Sequence, residues 1–381
     1  MTNYESPWMN DELRMYRKTV REFLQEEFLP RQAKWREQHR PDAEAWKQAG
    51  QTGLLLPDVP EEYGGGGGSF AHQAVVTEEL AQAGLHFGCG VQSIVSHYIL
   101  QYGSEEQKRK WLPALAHGEL VGAIAMTEPS AGSDLQAIKT TARRDGGDYV
   151  LNGSKTFITN GSHASLVCVA AKTDPKAAGF RGLSMIVAET KDLAGYRVGS
   201  SLEKVGMHEV DTCELFFDDV RVPASNLIGV SEGAGLSQMM EQLRYERVMI
   251  GVSAVATAER AVAITTKYAK ERVAFGKPLI DFQNTRFKLA QCKTEAQIGR
   301  VFIDHCIAEF TAGRLDATTA AMAKYWLTEA QCRIVDECVQ LHGGYGYMTE
   351  YPIARMWTDS RVQRIYAGTN EIMLELIGWS L

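Results

Sequence analysis

A single acidic residue, Glu246, interrupts an apolar helical segment of this 381-residue chain. Leu243 and Met249 lie one helical turn before and after it. A carboxyl group in apolar surroundings has a raised pKa, and such a group can act as a general base near neutral pH. The helical pattern also allows Glu246 to lie on an exposed face, and Glu241 is a second, less well aligned carboxylate on the same segment.

Two short stretches, residues 125–134 and 157–161, combine small residues with hydroxyl groups. Small side chains leave backbone N–H groups accessible, and serine and threonine hydroxyls can both donate and accept hydrogen bonds. Phe157 adds an aromatic surface to the second stretch. Both stretches are also compatible with polar turns, so their composition indicates a ligand site without deciding it.

Two later stretches carry groups suited to a nucleotide cofactor. Residues 272–283 begin with Arg272, whose planar guanidinium can donate two hydrogen bonds to a pyrophosphate at once. In the same stretch, Phe275 can pack against an adenine and Gln283 supplies an amide. Residues 340–347 are rich in glycine, which lets the backbone approach a phosphate closely. A plain loop between helices is the alternative interpretation of residues 272–283.

The composition excludes several classes of protein. Hydrophobic residues make up 45% and charged residues 23% of the chain, as in soluble enzymes. The net charge of −7 argues against nucleic acid as the partner, because phosphate binding needs a basic surface. No apolar run reaches the roughly 20 residues that span a bilayer, and the scattered histidines predict no metal site. A polar N-terminus without a targeting segment and seven cysteines without a Cys-x-x-Cys pair favour the reducing cytoplasm.

The pattern of apolar residues divides the chain into three parts. Residues 11–120 show helical periodicity, which Pro30 and Pro41 interrupt. From about residue 121 short apolar strands take over, and the Asn152-Gly153 pair predicts a tight hairpin turn. Further short strands are expected at residues 166–171, 183–188 and 213–217.

Helical periodicity returns near Leu236 and continues towards the C-terminus, with interruptions at Gly276 and Gly343. Antiparallel helices with short connections are typical of a four-helix bundle. The sequence therefore predicts an α+β protein with an N-terminal α-helical domain, a middle β-barrel or sandwich domain and a C-terminal four-helix bundle. The expected domain limits are residues 1–120, 121–232 and 233–381.

Taken in order, the four stretches resemble those of the acyl-CoA dehydrogenase family, and the resemblance extends from about residue 10 to residue 378. Residues 364–372 resemble the late signature of that family, in which most members carry the catalytic glutamate where this chain has Ala367. An alanine cannot accept a proton. The long-chain and isovaleryl-CoA members place their base on the earlier helix, so the resemblance implies Glu246 as the catalytic base.

The resemblance also implies a bound FAD and assigns residues to it and to the substrate. Phe157 is expected to stack on the flavin, and Thr159 to lie at its N5 edge. The residues expected along the flavin ring and the acyl thioester are Met126, Thr127 and Ser133. Those expected to reach the flavin of a neighbouring subunit are Arg272, Phe275 and Gln283. Those expected at the FAD diphosphate and adenosine are Gln340, Gly343, Gly344, Thr369 and Glu371, and those near the substrate are Ser133, Arg247, Tyr366, Ala367 and Gly368.

The reaction that the resemblance implies removes the α-proton of an acyl-CoA thioester, transfers the β-hydride to flavin N5 and yields the trans-2-enoyl-CoA, as in fatty acid β-oxidation. The small Ala367 favours long or branched acyl chains. Electron-transferring flavoprotein is the implied electron acceptor, and the implied assembly is a cytoplasmic homotetramer built as a dimer of dimers. A flavin oxidase of the same fold and a non-catalytic acyl-CoA-binding relative are the alternatives.

Overall fold

The N-terminal part of the chain is helical. The computed structural model describes residues 4–177 and 179–381. Local signals in the sequence start several helices: the Asn10 side chain accepts a hydrogen bond from the N–H of Leu13, and Ser104 and Gln107 form a reciprocal capping box. Pro30 lies in a 3₁₀ turn that continues a π-helical turn rather than opening a loop. The helices are α1 Asp11–Phe23, α2 Gln32–Gln38, α3 Ala43–Gln51, α4 Phe70–Ala83, α5 Cys89–Tyr102 and α6 Glu105–Ala116.

The middle part is a mixed sheet. Within the described residues its strands follow the order β6-β7-β3-β2-β4-β5-β8, and β1 pairs in parallel with β4. The three short strands expected from the apolar runs are confirmed. The strands are β1 Gly122–Ala125, β2 Thr141–Asp145, β3 Asp148–Thr159, β4 Leu166–Lys172, β5 Leu183–Glu189, β6 Tyr196–Ser201, β7 Thr212–Pro223 and β8 Leu227–Ile228.

The predicted hairpin turn at Asn152-Gly153 is wrong. Strand β3 runs through both residues without a break, and the turn lies earlier, at Gly146 and Gly147, where Asp145 pairs with Asp148. Gly153 sits instead at a register shift between β3 and β7, with a φ of +149°. A Cβ there would lie 2.5 Å from the Thr140 hydroxyl oxygen, so the glycine allows a close approach within the sheet rather than a turn.

The C-terminal part is a bundle of helices, as expected, and the α+β class with its helical, sheet and helical order is confirmed. Helix α7 packs against α4, α8 and α9, while α10 and α11 pack on α9. By length and composition α7 could cross a membrane, since an 18-residue window of it has a mean hydropathy of 1.5. Its packing against three other helices, with 61% of that window buried, accounts for this apolar character. The elements are α7 Gly235–Glu271, β9 Val273–Ala274, β10 Lys277–Pro278, α8 Gln283–Thr311, α9 Ala317–His342, α10 Pro352–Ser360 and α11 Asn370–Gly378.

Candidate active site

A cavity of about 740 Å³ lies where the three parts of the chain meet. Its walls come from α4 and α5, from the sheet edge at β1 and β3, from α7, and from the turn before α11. Nine of the seventeen cofactor and substrate residues expected from the sequence, together with the expected base, line this one space. They are Met126, Thr127, Ser133, Phe157, Thr159, Glu246, Arg247, Tyr366, Ala367 and Gly368.

A buried ion pair joins the two stretches on the sheet side of the cavity. The Lys155 ammonium donates hydrogen bonds to the Met126 carbonyl at 2.9 Å and to the Glu128 carboxylate at 2.8 Å. The N–H of Thr156 donates to the carbonyl of Thr127 at 3.0 Å. Lys155 is fully buried, and burial lowers its pKa to about 8. These bonds fix residues 126–128 against β3. Residues 126–128 form the polar wall of the cavity, and the bonds set its position.

Phe157 forms an uncovered aromatic wall. It lies at a second register shift between β3 and β7 and has a φ of +60°, which turns its ring into the cavity. Its side chain is 66% exposed, an unusual state for a phenylalanine in a cavity. Just beyond it, the amide of Asn160 donates to the carbonyls of Gly88 and Gly122, both at 3.1 Å. The strand end is therefore held firmly while the ring is free to stack on a planar ligand.

The turn before α11 forms the opposite wall. Ala367 and Gly368 have φ values of +52° and +88°, so two consecutive residues are left-handed. The Lys324 ammonium, fully buried on α9, donates to the Gly368 carbonyl at 2.7 Å and to the Asn370 side chain at 2.9 Å. Burial is the main cause that lowers the pKa of Lys324 to about 8. The turn is thus pinned from behind, and the small side chain of Ala367 faces the cavity.

Glu246 is the buried acid of the cavity. Its side chain is only 8% exposed, and its Oε1 atom has no hydrogen-bond partner among the described residues. Burial raises the pKa of the carboxyl to about 7, although the neighbouring Arg247 opposes the shift. Adjacent helical positions point in different directions, and within the described chain no ion pair joins the two side chains. The carboxyl therefore exchanges a proton near neutral pH, as a general base requires.

The remaining predicted cofactor residues do not line the cavity of their own chain. Arg272 lies 5.6 Å from the ring of Tyr345, which brings the 272–283 and 340–347 stretches together on an outer face. Phe275 is 95% exposed, with a φ of +53°, and Gln283 and Gln340 are exposed as well. An added Cβ at Gly343 or Gly344 would meet no atom within 4 Å, so this face is open.

Thr369 and Glu371 also lie outside the cavity lining. The Thr369 hydroxyl accepts a hydrogen bond from the N–H of Ile372 at 3.3 Å and caps α11. Glu371 is exposed in the first turn of that helix, where a negative charge is favourable. In a single chain both residues have structural partners, so their expected contact with the cofactor stays a prediction.

Several residues that build the site were not anticipated from the sequence. Lys155, Glu128 and Lys324 were absent from the expected set because lysine and glutamate are mostly exposed. Lys324 follows Ala320, Ala321 and Ala323 in a small, apolar stretch of α9, and that position was the available signal of burial. No group of three or more histidine, cysteine or acidic side chains that could hold a metal occurs in residues 4–177 and 179–381.

The sequence and the fold of this chain are similar to those of known proteins. Family models for the acyl-CoA dehydrogenase N-terminal, middle and C-terminal domains match residues 10–119, 123–220 and 233–381. The chain is 45% identical over 366 residues to the long-chain specific acyl-CoA dehydrogenase of Sus scrofa mitochondria, which covers 95% of this chain and 85% of the relative. The crystal structure of an acyl-CoA dehydrogenase from Geobacillus kaustophilus superposes with a TM-score of 0.96 at 46% identity and covers 99% of both chains.

A glutaryl-CoA dehydrogenase from Mycobacterium smegmatis, in complex with FADH2, superposes with a TM-score of 0.91 at 31% identity, covering 98% of this chain and 95% of that one. A cavity with an uncovered aromatic wall and a raised-pKa carboxyl defines a site for a planar redox cofactor and a substrate that loses a proton. The chain belongs to the acyl-CoA dehydrogenase family and is an FAD-dependent oxidoreductase.

The residues present fit an FAD. The flavin needs a planar wall, and the exposed ring of Phe157 provides one. Gly132, which also lines the cavity, would have no atom within 4 Å of an added Cβ, so the space beside the polar stretch is unobstructed. Arg272 and Phe275 lie outside the cavity, where a guanidinium and an exposed aromatic face are available to a ligand.

The buried acid also makes the stability of the protein depend on pH. Because the pKa of Glu246 is raised from 4.5 to about 7, the folded state loses stability as the pH rises through this range, and Glu246→Gln removes the loss. The free energy of unfolding of the variant minus that of the wild type is expected to increase by about 2 kcal/mol between pH 5 and pH 8. Urea unfolding of both holoenzymes at the two pH values measures it, and a pH-independent difference would contradict the raised pKa.

Proposed function

We propose that the protein oxidises long-chain acyl-CoA thioesters to trans-2-enoyl-CoA, with Glu246 as the base that removes the α-proton. The observation that carries this proposal is the carboxyl of Glu246, buried, unbonded at Oε1 and titrating near neutral pH, in the same cavity as Phe157 and Ala367. Ala367 leaves the usual base position of the family without a proton acceptor. Glu241 is a weak rival because it is exposed and bonded to Tyr102.

The proton step follows from the surroundings of Glu246. The buried position keeps the carboxylate poorly solvated, which raises its pKa and makes it a stronger base towards the weakly acidic α-proton than an exposed glutamate would be. The bound FAD supplies the acceptor for the β-hydride. Arg247, also buried and with an unbonded Nε, balances the charge on the neighbouring helical position without forming an ion pair.

The turn before α11 can stabilise the developing enolate. Among the described residues no acceptor is recorded for the backbone N–H groups of Ala367 and Gly368, which line the cavity. The left-handed conformation of both residues is held by the bond from Lys324 to the Gly368 carbonyl. Fixed N–H donors that point at a developing oxyanion contribute strongly to catalysis because they need no reorganisation.

The shape of the cavity supports a long acyl chain. Gly90, at the start of α5, lines the cavity and would meet no atom within 4 Å if it carried a Cβ. Ala367 also leaves space in the cavity, because most members of the family carry a larger glutamate at this position. Leu80, Ile94 and Ile250 supply apolar surface, and each methylene buried against such surface contributes about 0.8 kcal/mol.

Anaerobic bleaching of the flavin by butyryl-, octanoyl-, palmitoyl- and isovaleryl-CoA tests this substrate class. We expect the rate constant of flavin bleaching, divided by the Kd of the thioester, to be at least about 100-fold higher for palmitoyl-CoA than for butyryl-CoA. The reason is that palmitoyl-CoA buries many more methylenes in the cavity. Gly90→Met should reduce the value for palmitoyl-CoA and spare that for butyryl-CoA. A preference for butyryl- or isovaleryl-CoA in the wild type would contradict the long-chain assignment.

We also propose electron-transferring flavoprotein as the electron acceptor, a homotetramer as the assembly and the cytoplasm as the location. The exposed position of Arg272, Phe275 and Gln283, away from their own cavity, supports a role towards a second chain's cofactor. Sedimentation of the holoenzyme measures the assembly. Rapid reoxidation by oxygen with release of peroxide would instead favour the flavin oxidase.

A further inference from the structure

The cavity continues well past the base along helix α7. Glu246, Ile250, Ser253, Thr257 and Arg260 all line it, and their spacing of three or four residues places them on one face of the helix. At a rise of 1.5 Å per residue, the step from Glu246 to Arg260 spans about 21 Å along the axis. An acyl chain held at the base can therefore extend towards a charged residue.

Arg260 has no partner at this end of the cavity. Within the part of the chain that the structure describes, no hydrogen bond and no ion pair reaches its guanidinium, which packs over the backbone of Gly84. Burial, and next the nearby Arg355, lower the pKa of Arg260 below its ordinary value, while Asp359 opposes the shift. The N–H groups of the guanidinium are therefore available to an acceptor that enters the cavity.

The charged neighbours of Arg260 are already engaged. Asp359 accepts a hydrogen bond from the N–H of Met207 at 2.5 Å and lies 3.3 Å from the His86 ring. Arg355 donates to the carbonyl of Thr349 at 2.9 Å. The unmatched group at this end is thus a cation, and the ligand that complements it is an anion.

We propose that Arg260 binds a carboxylate at the far end of the acyl chain, so that the substrates include long-chain acyl-CoAs with a terminal ω-carboxylate. This inference rests on the proposed function, because the thioester end must lie at Glu246. The planar guanidinium can donate two parallel hydrogen bonds to a carboxylate, which a methyl end cannot accept. The roughly 21 Å between the two residues selects a long chain and excludes a short diacid.

The test compares two thioesters of equal carbon number, palmitoyl-CoA and the mono-CoA thioester of hexadecanedioic acid, in the holoenzyme. Arg260→Met keeps an unbranched apolar stem at this position and removes the charged guanidinium. It is expected to lower kcat/KM for the diacid thioester by about 10–100-fold and to leave the value for palmitoyl-CoA nearly unchanged. Calorimetry should show that the variant binds the corresponding ω-carboxy enoyl-CoA about 10–100-fold more weakly than the wild type does, as a correspondingly higher Kd.

Arg333→Met is the matched control, since it removes the same charge from an exposed arginine of α9 that pairs with Glu295. This control variant should leave kcat/KM unchanged for both thioesters. If the wild type oxidises palmitoyl-CoA but rejects the diacid thioester, or if Arg260→Met affects both thioesters equally, this inference is wrong and the proposed function stands. If neither thioester bleaches the wild-type flavin, the proposed function fails together with it.

Discussion

Replacement of Glu246 by glutamine is expected to slow anaerobic bleaching of the flavin by palmitoyl-CoA by about 10²–10⁴-fold, the usual contribution of a general base. Glutamine keeps the size of the buried side chain but cannot accept the α-proton. The cavity should therefore retain its shape, its FAD and its affinity for the thioester. Stopped-flow absorbance at saturating substrate gives the rate constant, and equilibrium binding of the enoyl-CoA product shows whether the site is intact.

Two further variants make this result specific. Glu241→Gln removes a carboxylate from an exposed face of the same helix, where it accepts a hydrogen bond from Tyr102, and should bleach at the wild-type rate. Ala367→Glu in the Glu246→Gln background should recover part of the lost rate, because residue 367 lines the same cavity and its φ of +52° already accommodates a Cβ. Wild-type bleaching by Glu246→Gln alone would refute the base assignment.

The second large effect is expected at Lys155. Lys155→Met leaves the carboxylate of Glu128 buried without its cation, and breaking a buried pair from one side typically lowers the free energy of unfolding by about 3–5 kcal/mol. The same change removes the bond to the Met126 carbonyl, so the polar wall should loosen and release FAD more readily. Urea unfolding and the Kd for FAD measure the two consequences.

A double variant separates charge from shape at this position. In Lys155→Met with Glu128→Gln, no charge is left unpaired, and the glutamine can still accept a bond from the backbone N–H groups of Lys139 or Thr140. Much of the lost stability should return, because an apolar replacement of a buried pair is often nearly neutral. A single Lys155→Met variant as stable as the wild type would show that the ion pair does not hold the wall.

Much of the architecture can be predicted from local patterns. Helical periodicity and capping signals such as Ser104 with Gln107 act over a few residues, and the apolar runs at β4 and β5 are fully buried strands. The helical pattern leaves Glu246 either buried or exposed, and only Ala367 together with the family resemblance points to a buried base. The structure places Glu246 in the cavity.

What local patterns cannot predict are features set by distant contacts. The Asn152-Gly153 pair has the composition of a turn, but pairing of β3 with β2 and β7 keeps the strand continuous and uses Gly153 for a close approach. Lys155 and Lys324 are buried because Glu128 and the Gly368 carbonyl lie opposite them, and those partners are far away in the sequence.

The residues expected to bind the cofactor fall into two groups in the structure, one inside the cavity and one outside it. The chemistry of Arg272 and Phe275 suits a nucleotide, but only the family resemblance, and no local pattern, assigns these residues and Gln283 to the flavin of a neighbouring subunit. In a single chain they gather on an open outer face, while Met126, Thr127 and Phe157 face the cavity. The assignment of the outer residues to a second subunit's cofactor stays a prediction.

A crystal structure of the holoenzyme with an unreactive long-chain acyl-CoA analogue tests the position of the base most directly. A carboxylate oxygen of Glu246 should lie about 3–3.5 Å from the α-carbon, the separation of reacting atoms in a productive complex. The Ala367 side chain should face the same carbon without touching its proton. An α-carbon beyond the reach of Glu246, with another acid beside it, would contradict the proposed mechanism.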